Sequence, residues 1–231
     1  MKPVIATWSR LLAFSISKEE FLALNGRWLV FGLAATWVAG IGRHWDDPRG
    51  QFLQQTGIGS VIYVFCLSLL LWLIAKPLDP SRIRLPHLLT FVSLTSPPAF
   101  LYAIPLEKWM DLESSNTINF WFLILVSCWR IALLFQYYRL CGLGMWHTIL
   151  ATALPLGIIV FTLTALNLQH AVFDIMGGIR ESEQTPHDAA YGLLSMLSLL
   201  AVMLTPLLGL IWISDIVGRS SLARFSQGKA D

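Results

Sequence analysis

Six apolar runs set the terms on which this chain can fold. They occupy residues 28–42, 57–75, 85–104, 118–138, 146–168 and 191–213, separated by clusters of charge, proline and glycine. A hydrocarbon core about 30 Å thick takes roughly 20 helical residues to cross, and every run but the first is near that length. The first reaches it by extending back through Leu22 to Leu24, with Arg27 snorkelling to the interface. The expected fold is all-α: an integral membrane bundle of six transmembrane helices over residues 28–213. Residues 1–27 are expected to form a cytoplasmic or interfacial amphipathic segment, and 214–231 a cytoplasmic tail. Only 13% of residues are charged, 55% are hydrophobic, and mean hydropathy is +0.63. A soluble domain carries about 25% charged residues. The net charge of +2 is too small to point to nucleic acid.

The N-terminal stretch MKPVIATWSRLLAFSISKEEFLALNGR has an apolar character interrupted by Arg10 and no small-residue cleavage pattern, so it does not read as a signal peptide. Ser17 and Glu20 have capping-box spacing, and Phe21, Leu22 and Leu24 are placed to dip into lipid. Lys and Arg distribute unevenly. Lys2, Arg10, Lys18, Arg27, Lys76, Arg82, Arg84, Arg139, Arg219, Arg224 and Lys229 fall on one side of the six runs. Arg43, Arg49, Lys108 and Arg180 fall on the other. Eleven against four makes both termini cytoplasmic by the positive-inside rule. Compactness and short loops point to a bacterial inner membrane.

The third run contains Pro97 and Pro98. A proline removes its own amide donor and clashes with the carbonyl four residues earlier, which frees the carbonyls of Ser93 and Leu94. Two in succession predict an interruption of the third helix, with the hydroxyls of Ser93, Thr95 and Ser96 at hand. In hydrocarbon such freed groups need partners. Arg130, the one formal charge well inside any run, lies eight residues before Tyr138, and Ser93 lies eight residues after Leu85. Both are therefore about 12 Å from the cytoplasmic face. Asn116, Asn119, Ser127, Arg130 and Tyr137 share one arc of the fourth helix. The candidate polar pocket comprises Ser93, Thr95, Ser96, Pro97, Pro98, Asn119, Ser127 and Arg130. In it Arg130 is expected to donate to the carbonyls of Ser93 and Leu94. The alternatives are snorkelling to the headgroups and holding a ligand.

Gly32, Thr36 and Gly40 recur at four-residue intervals and form a helix-packing stripe. Cys66, Cys128 and Cys141 have no paired spacing and are expected as packing residues rather than a disulfide or zinc set. His44, Asp46, Asp47, His170, Asp174, His187 and Asp188 combine imidazole with carboxylate but match no ligand spacing. No metal and no cofactor are expected. His87 and His147 lie near cytoplasmic ends, and Asp215 reads as a solvated carboxylate or, alternatively, as a partner for the basic cytoplasmic loops. No P-loop, H-E-x-x-H or G-x-S-x-G occurs, so no catalytic residue is assigned.

The segments GSVIYVFCLSLLLWLIAKPL (59–78), LLTFVSLTSPPAFLYAIP (88–105) and INFWFLILVSCWRIALLFQYYRLCGL (118–143) resemble the Yip1-type family of polytopic membrane proteins. Family members usually have five spans rather than six, and the acidic cytoplasmic motif of the eukaryotic members is missing here. The resemblance implies a non-enzymatic membrane adaptor. The function expected is therefore a scaffold or accessory subunit of a membrane complex, partnered by membrane lipid and by another protein or a second copy. The alternative is a small-solute or lipid transporter with its site at the broken third helix near Arg130.

Overall fold

The computed structural model describes residues 2–42, 56–104, 106, 109–166, 168 and 189–227. Helix α1, Lys2–Leu12, ends in a Schellman turn: Ser15 N–H donates to the Arg10 carbonyl at 2.8 Å and Phe14 N–H to Leu11 at 3.2 Å. Helix α2, Lys18–Leu22, starts from a formed capping box between Ser17 and Glu20. Asn25 then begins α3, Gly26–Gly42, its side chain accepting from Arg27 N–H at 3.1 Å. Gly57, at φ +71°, turns the chain into α4, Ile58–Ala75. Helix α5, Leu85–Leu94, carries a proline in its first turn, where the missing amide costs nothing. A 3-10 helix over Pro97–Ala103 follows it.

Asp111 caps α6, Leu112–Leu140, by accepting from Ser114 N–H at 3.0 Å. That helix ends in a second Schellman turn around Gly142, at φ +85°. Two further helices, α7 (Met145–Ala165) and α8 (Ala189–Gln227), complete the described chain, each with an internal proline.

The described residues are helical, and four helices are long and apolar enough to cross a membrane: Ile58–Ala75, Thr117–Leu140, Met145–Ala165 and Ser195–Arg219. The other two runs do not form single helices of that length. The first forms α3, a shorter apolar helix of 17 residues. The third forms a ten-residue helix and then the 3-10 segment. The expected tail does not begin as a separate element, because α8 continues through Gln227 with no Gly or Pro to stop it between 219 and 227.

Helix α5 sits between two neighbours. It packs against α3 and α4, while α6 packs on α7, and α7 on both α4 and α8. The stretch 90–96 is buried at every position. Its aromatic flank joins Phe21, Phe91, His87 and Tyr137, with Phe21 meeting His87 edge-on at 4.7 Å between ring centres. The N-terminal segment belongs to this core. Leu11, Phe21 and Leu24 are buried against protein, and of the three residues expected to dip into lipid only Leu22 is exposed. An amphipathic face suits a protein groove as well as a headgroup layer, and here the groove takes it.

Candidate functional site

The site begins with what happens to the backbone at the end of α5. Every hydroxyl there turns back on its own chain. Thr90 donates to the Pro86 carbonyl at 2.8 Å, Ser93 to Thr90 at 2.8 Å, and Thr95 and Ser96 both to Val92 at 3.1 Å. Such bonds to carbonyls three or four residues back bend a helix. Where these bonds and the prolines fall, α5 gives way to the 3-10 segment, which Pro97 opens and in which Pro98 is buried.

The carbonyls of Ser93 and Leu94 both find donors. Ser93 O accepts from Ser96 N–H at 3.4 Å and lies 3.2 Å from Thr36 Oγ1, whose one proton is shared with Gly32 O at 2.8 Å, while the indole Nε1 of Trp8 donates to Leu94 O at 2.9 Å. The approach of α3 depends on small residues. A Cβ added at Gly32 would lie 2.9 Å from Ser93 Cβ and 3.0 Å from Leu94 N, so α3 can lie flush on α5 only with glycine there. At the far end of the same stripe, a Cβ on Gly40 would stand 2.7 Å from Ser60 Oγ and 2.9 Å from Gly57 Cα. Gly32, Thr36 and Gly40 therefore line a seam within this chain, against α5 and α4.

Arg130 does not supply those carbonyls. Its half-buried guanidinium stands over the Tyr63 ring, 5.9 Å from the centroid. The expected arginine brace is replaced by an indole and a threonine. Equal depth on two helices does not fix direction around their axes, and the donors already seated on α5 leave those carbonyls occupied. The rest of the polar stripe is not gathered at the break either: Ser127 is exposed on α6 and Asn119 is half-buried there. Ser93, Thr95, Ser96 and Pro98 lie buried at the end of α5. The chain matches no family model, and no curated protein and no solved structure matches it.

Trp8 is the residue the sequence did not single out. Its helix is tied down along its length. Trp129 Nε1 donates to Leu12 O at 2.9 Å, Gln136 Nε2 to Phe14 O at 3.0 Å, and Arg10 pairs with Glu20 at 2.5 Å. A neighbouring contact fixes a tautomer. His87 Nε2 lies 2.9 Å from the Phe21 carbonyl, which only accepts, so in the neutral ring the proton sits on Nε2 and Nδ1 faces Tyr137 OH at 3.4 Å.

At one end of the described helices, cations hold backbone carbonyls. Arg219 Nη1 donates to Leu78 O at 2.6 Å, Arg82 Nη1 to Gly142 O at 2.5 Å, Arg139 Nη1 to Leu143 O at 2.8 Å and Lys76 Nζ to Ile83 O at 3.2 Å. These cations join the C-terminal ends of α4 and α6 and the neighbouring stretch of α8 to the starts of α5 and α7. That end is the basic end. Asp215 is not simply solvated there: its Oδ2 lies 3.1 Å from Arg219 Nε and 3.3 Å from His147 Nε2. Cys141, at the end of α6, is buried, and burial pushes its thiol up to about 11. Cys66 and Cys128 are instead exposed on their helices. No group of three or more metal-ligating side chains occurs among the described residues, and His44, Asp46, Asp47, His170, Asp174, His187 and Asp188 lie outside them.

Proposed function

We propose that the chain is a six-pass integral protein of a bacterial inner membrane, both termini cytoplasmic, acting as a non-enzymatic scaffold or accessory subunit of a membrane complex. One observation carries the functional part. The helix break, where a solute site would need free polar groups, is filled by the chain's own donors, Trp8 and Thr36. Discontinuous helices serve transport when their freed backbone groups face the substrate, and here those groups face an indole and a threonine. The resemblance of residues 59–143 to Yip1-type proteins points the same way.

Lengths support six passes. Helix α5 contributes ten residues and the 3-10 segment seven. At ~1.5 and ~2.0 Å per residue they reach about 29 Å together, close to a hydrocarbon core of about 30 Å. Helix α3 runs beside α4 from the aromatic cluster at the basic end to Gly57 at the other, where Trp37 Nε1 donates to Thr56 O at 2.8 Å. The clustering of Lys76, Arg82, Arg139 and Arg219 at one end favours that end as cytoplasmic.

Purification of the tagged chain from its native membranes in mild detergent tests the proposal. A distinct partner in fixed ratio is the expected result. A chain that runs alone, and that raises solute flux in proteoliposomes above empty vesicles, would instead establish the transporter. The half-buried guanidinium of Arg130 beside Tyr63 is the feature that favours this second reading.

A further inference from the structure

The turn after α1 places Phe14 at φ +59°, a left-handed conformation that glycine usually fills at this position of a Schellman turn. For a bulky residue that is an outlier, and such strain persists only where the surroundings impose it. Here Trp129 and Gln136 hold the flanking carbonyls of Leu12 and Phe14 against α6. The consequence is a cleft. Phe14 and the face of α6 formed by Cys128, Ile131, Ala132 and Phe135 line a shallow, open apolar groove of about 640 Å³ that extends to Gln136 and Arg139.

We propose that this cleft holds one acyl chain of an anionic phospholipid whose phosphate is bound at Arg139. Length argues for an acyl chain. From Cys128 to Arg139 the groove follows eleven residues of α6, about 16 Å, and one leaflet of a bilayer core is about 15 Å deep. Orientation agrees, because Arg139 marks the basic end, so the lipid's head and the chain's cations meet at one level. Arg139 is exposed and uses one donor on Leu143 O, and a guanidinium has five. Charge argues for an anion. Arg82 Nη1 donates to Gly142 O at 2.5 Å, next in the chain to the Leu143 carbonyl that Arg139 holds at 2.8 Å, so two guanidinia stand at this end of α6. The proposal rests on the membrane orientation given above, but not on the scaffold role.

Native mass spectrometry of the full chain, reconstituted with dioleoyl phosphatidylglycerol and dioleoyl phosphatidylcholine, tests it. One phosphatidylglycerol per chain should be retained in preference to phosphatidylcholine. Arg139→Gln should cut that retention about fivefold, the loss of one surface cation's attraction, and Arg139→Lys should largely restore it. Ala132→Phe, which fills the groove, should abolish tight retention of both lipids. Equal retention of the two lipids by the unaltered chain, or retention indifferent to Arg139→Gln, overturns the proposal. So does a mass showing a second copy seated in the groove, doubled in the unaltered chain and single in Ala132→Phe. Should Ala132→Phe fail to fold, the Gln and Lys pair at Arg139 decides alone. Loss of the partner complex with lipid selectivity intact would sink the scaffold reading and leave this one standing.

Discussion

Replacing Gly32 with alanine probes the seam that closes the helix break. The added methyl would sit 2.9 Å from Ser93 Cβ and 3.0 Å from Leu94 N, on a buried stretch of α5 that cannot swing away. Overpacking of this kind costs about 1–3 kcal/mol. Separation of α3 from α5 would also stretch the Thr36 Oγ1 bond to Ser93 O, already 3.2 Å, and a bond of that type between membrane helices averages about 0.6 kcal/mol. Against this, alanine improves helix propensity by up to about 1 kcal/mol. A control cancels that gain. Gly209 lies inside α8, and a Cβ there meets nothing within 4 Å. Reversible unfolding in mixed micelles titrated with dodecyl sulfate should find Gly32→Ala less stable than Gly209→Ala by roughly 1.5–3.5 kcal/mol. Equal stability, within about 0.5 kcal/mol, would refute the close approach of α3 to α5.

Trp8→Phe keeps the edge-on contact with Phe31 at 5.8 Å but deletes the donor to Leu94 O, and should cost about 0.6–1.7 kcal/mol in the same unfolding assay. Gly57→Ala should destabilise more than an ordinary helix-end change, since φ is +71° and the new methyl would lie 2.7 Å from Trp37 O; a loss of about 1–3 kcal/mol is expected. Cys141, its thiol pushed up by burial to about 11, holds its proton at pH 8, so in a Cys66→Ala, Cys128→Ala background it should resist maleimide until the protein is unfolded.

Run length made four helices legible, because apolar stretches such as 58–75 have few structures open to them in or out of lipid. Punctuation was legible too: Ser17 and Glu20 form their capping box, and Pro97–Pro98 coincide with the change from α-helix to 3-10 helix. The partner at the break was not. Sequence gives depth along a helix at 1.5 Å per residue, which set Arg130 level with Ser93, but contact also requires facing directions that only the packed neighbours decide. Trp8 escaped notice because an amphipathic helix with a tryptophan looks the same whether it meets headgroups or a protein groove. A signal for it was present nonetheless. Two freed carbonyls at mid-membrane need donors, and an indole N–H in an apolar helix otherwise lacks an acceptor. For Asp215 the sequence leaves solvation and pairing both open, because His147 and Arg219 come together only once α7 and α8 pair.

The chain's own donors and side chains fill the junction between α5 and the 3-10 segment, and that junction can be probed directly. Thr95 and Ser96 lie buried in that break, with relative exposures of 4% and 6%. In a background where Cys66, Cys128 and Cys141 are replaced by alanine, Thr95→Cys and Ser96→Cys can be challenged with a charged, membrane-impermeant thiol reagent from each side of the membrane. Both positions should stay unmodified from both sides while the protein is folded. Rapid modification at either one, from either side, would mean that water reaches the break and would contradict the account.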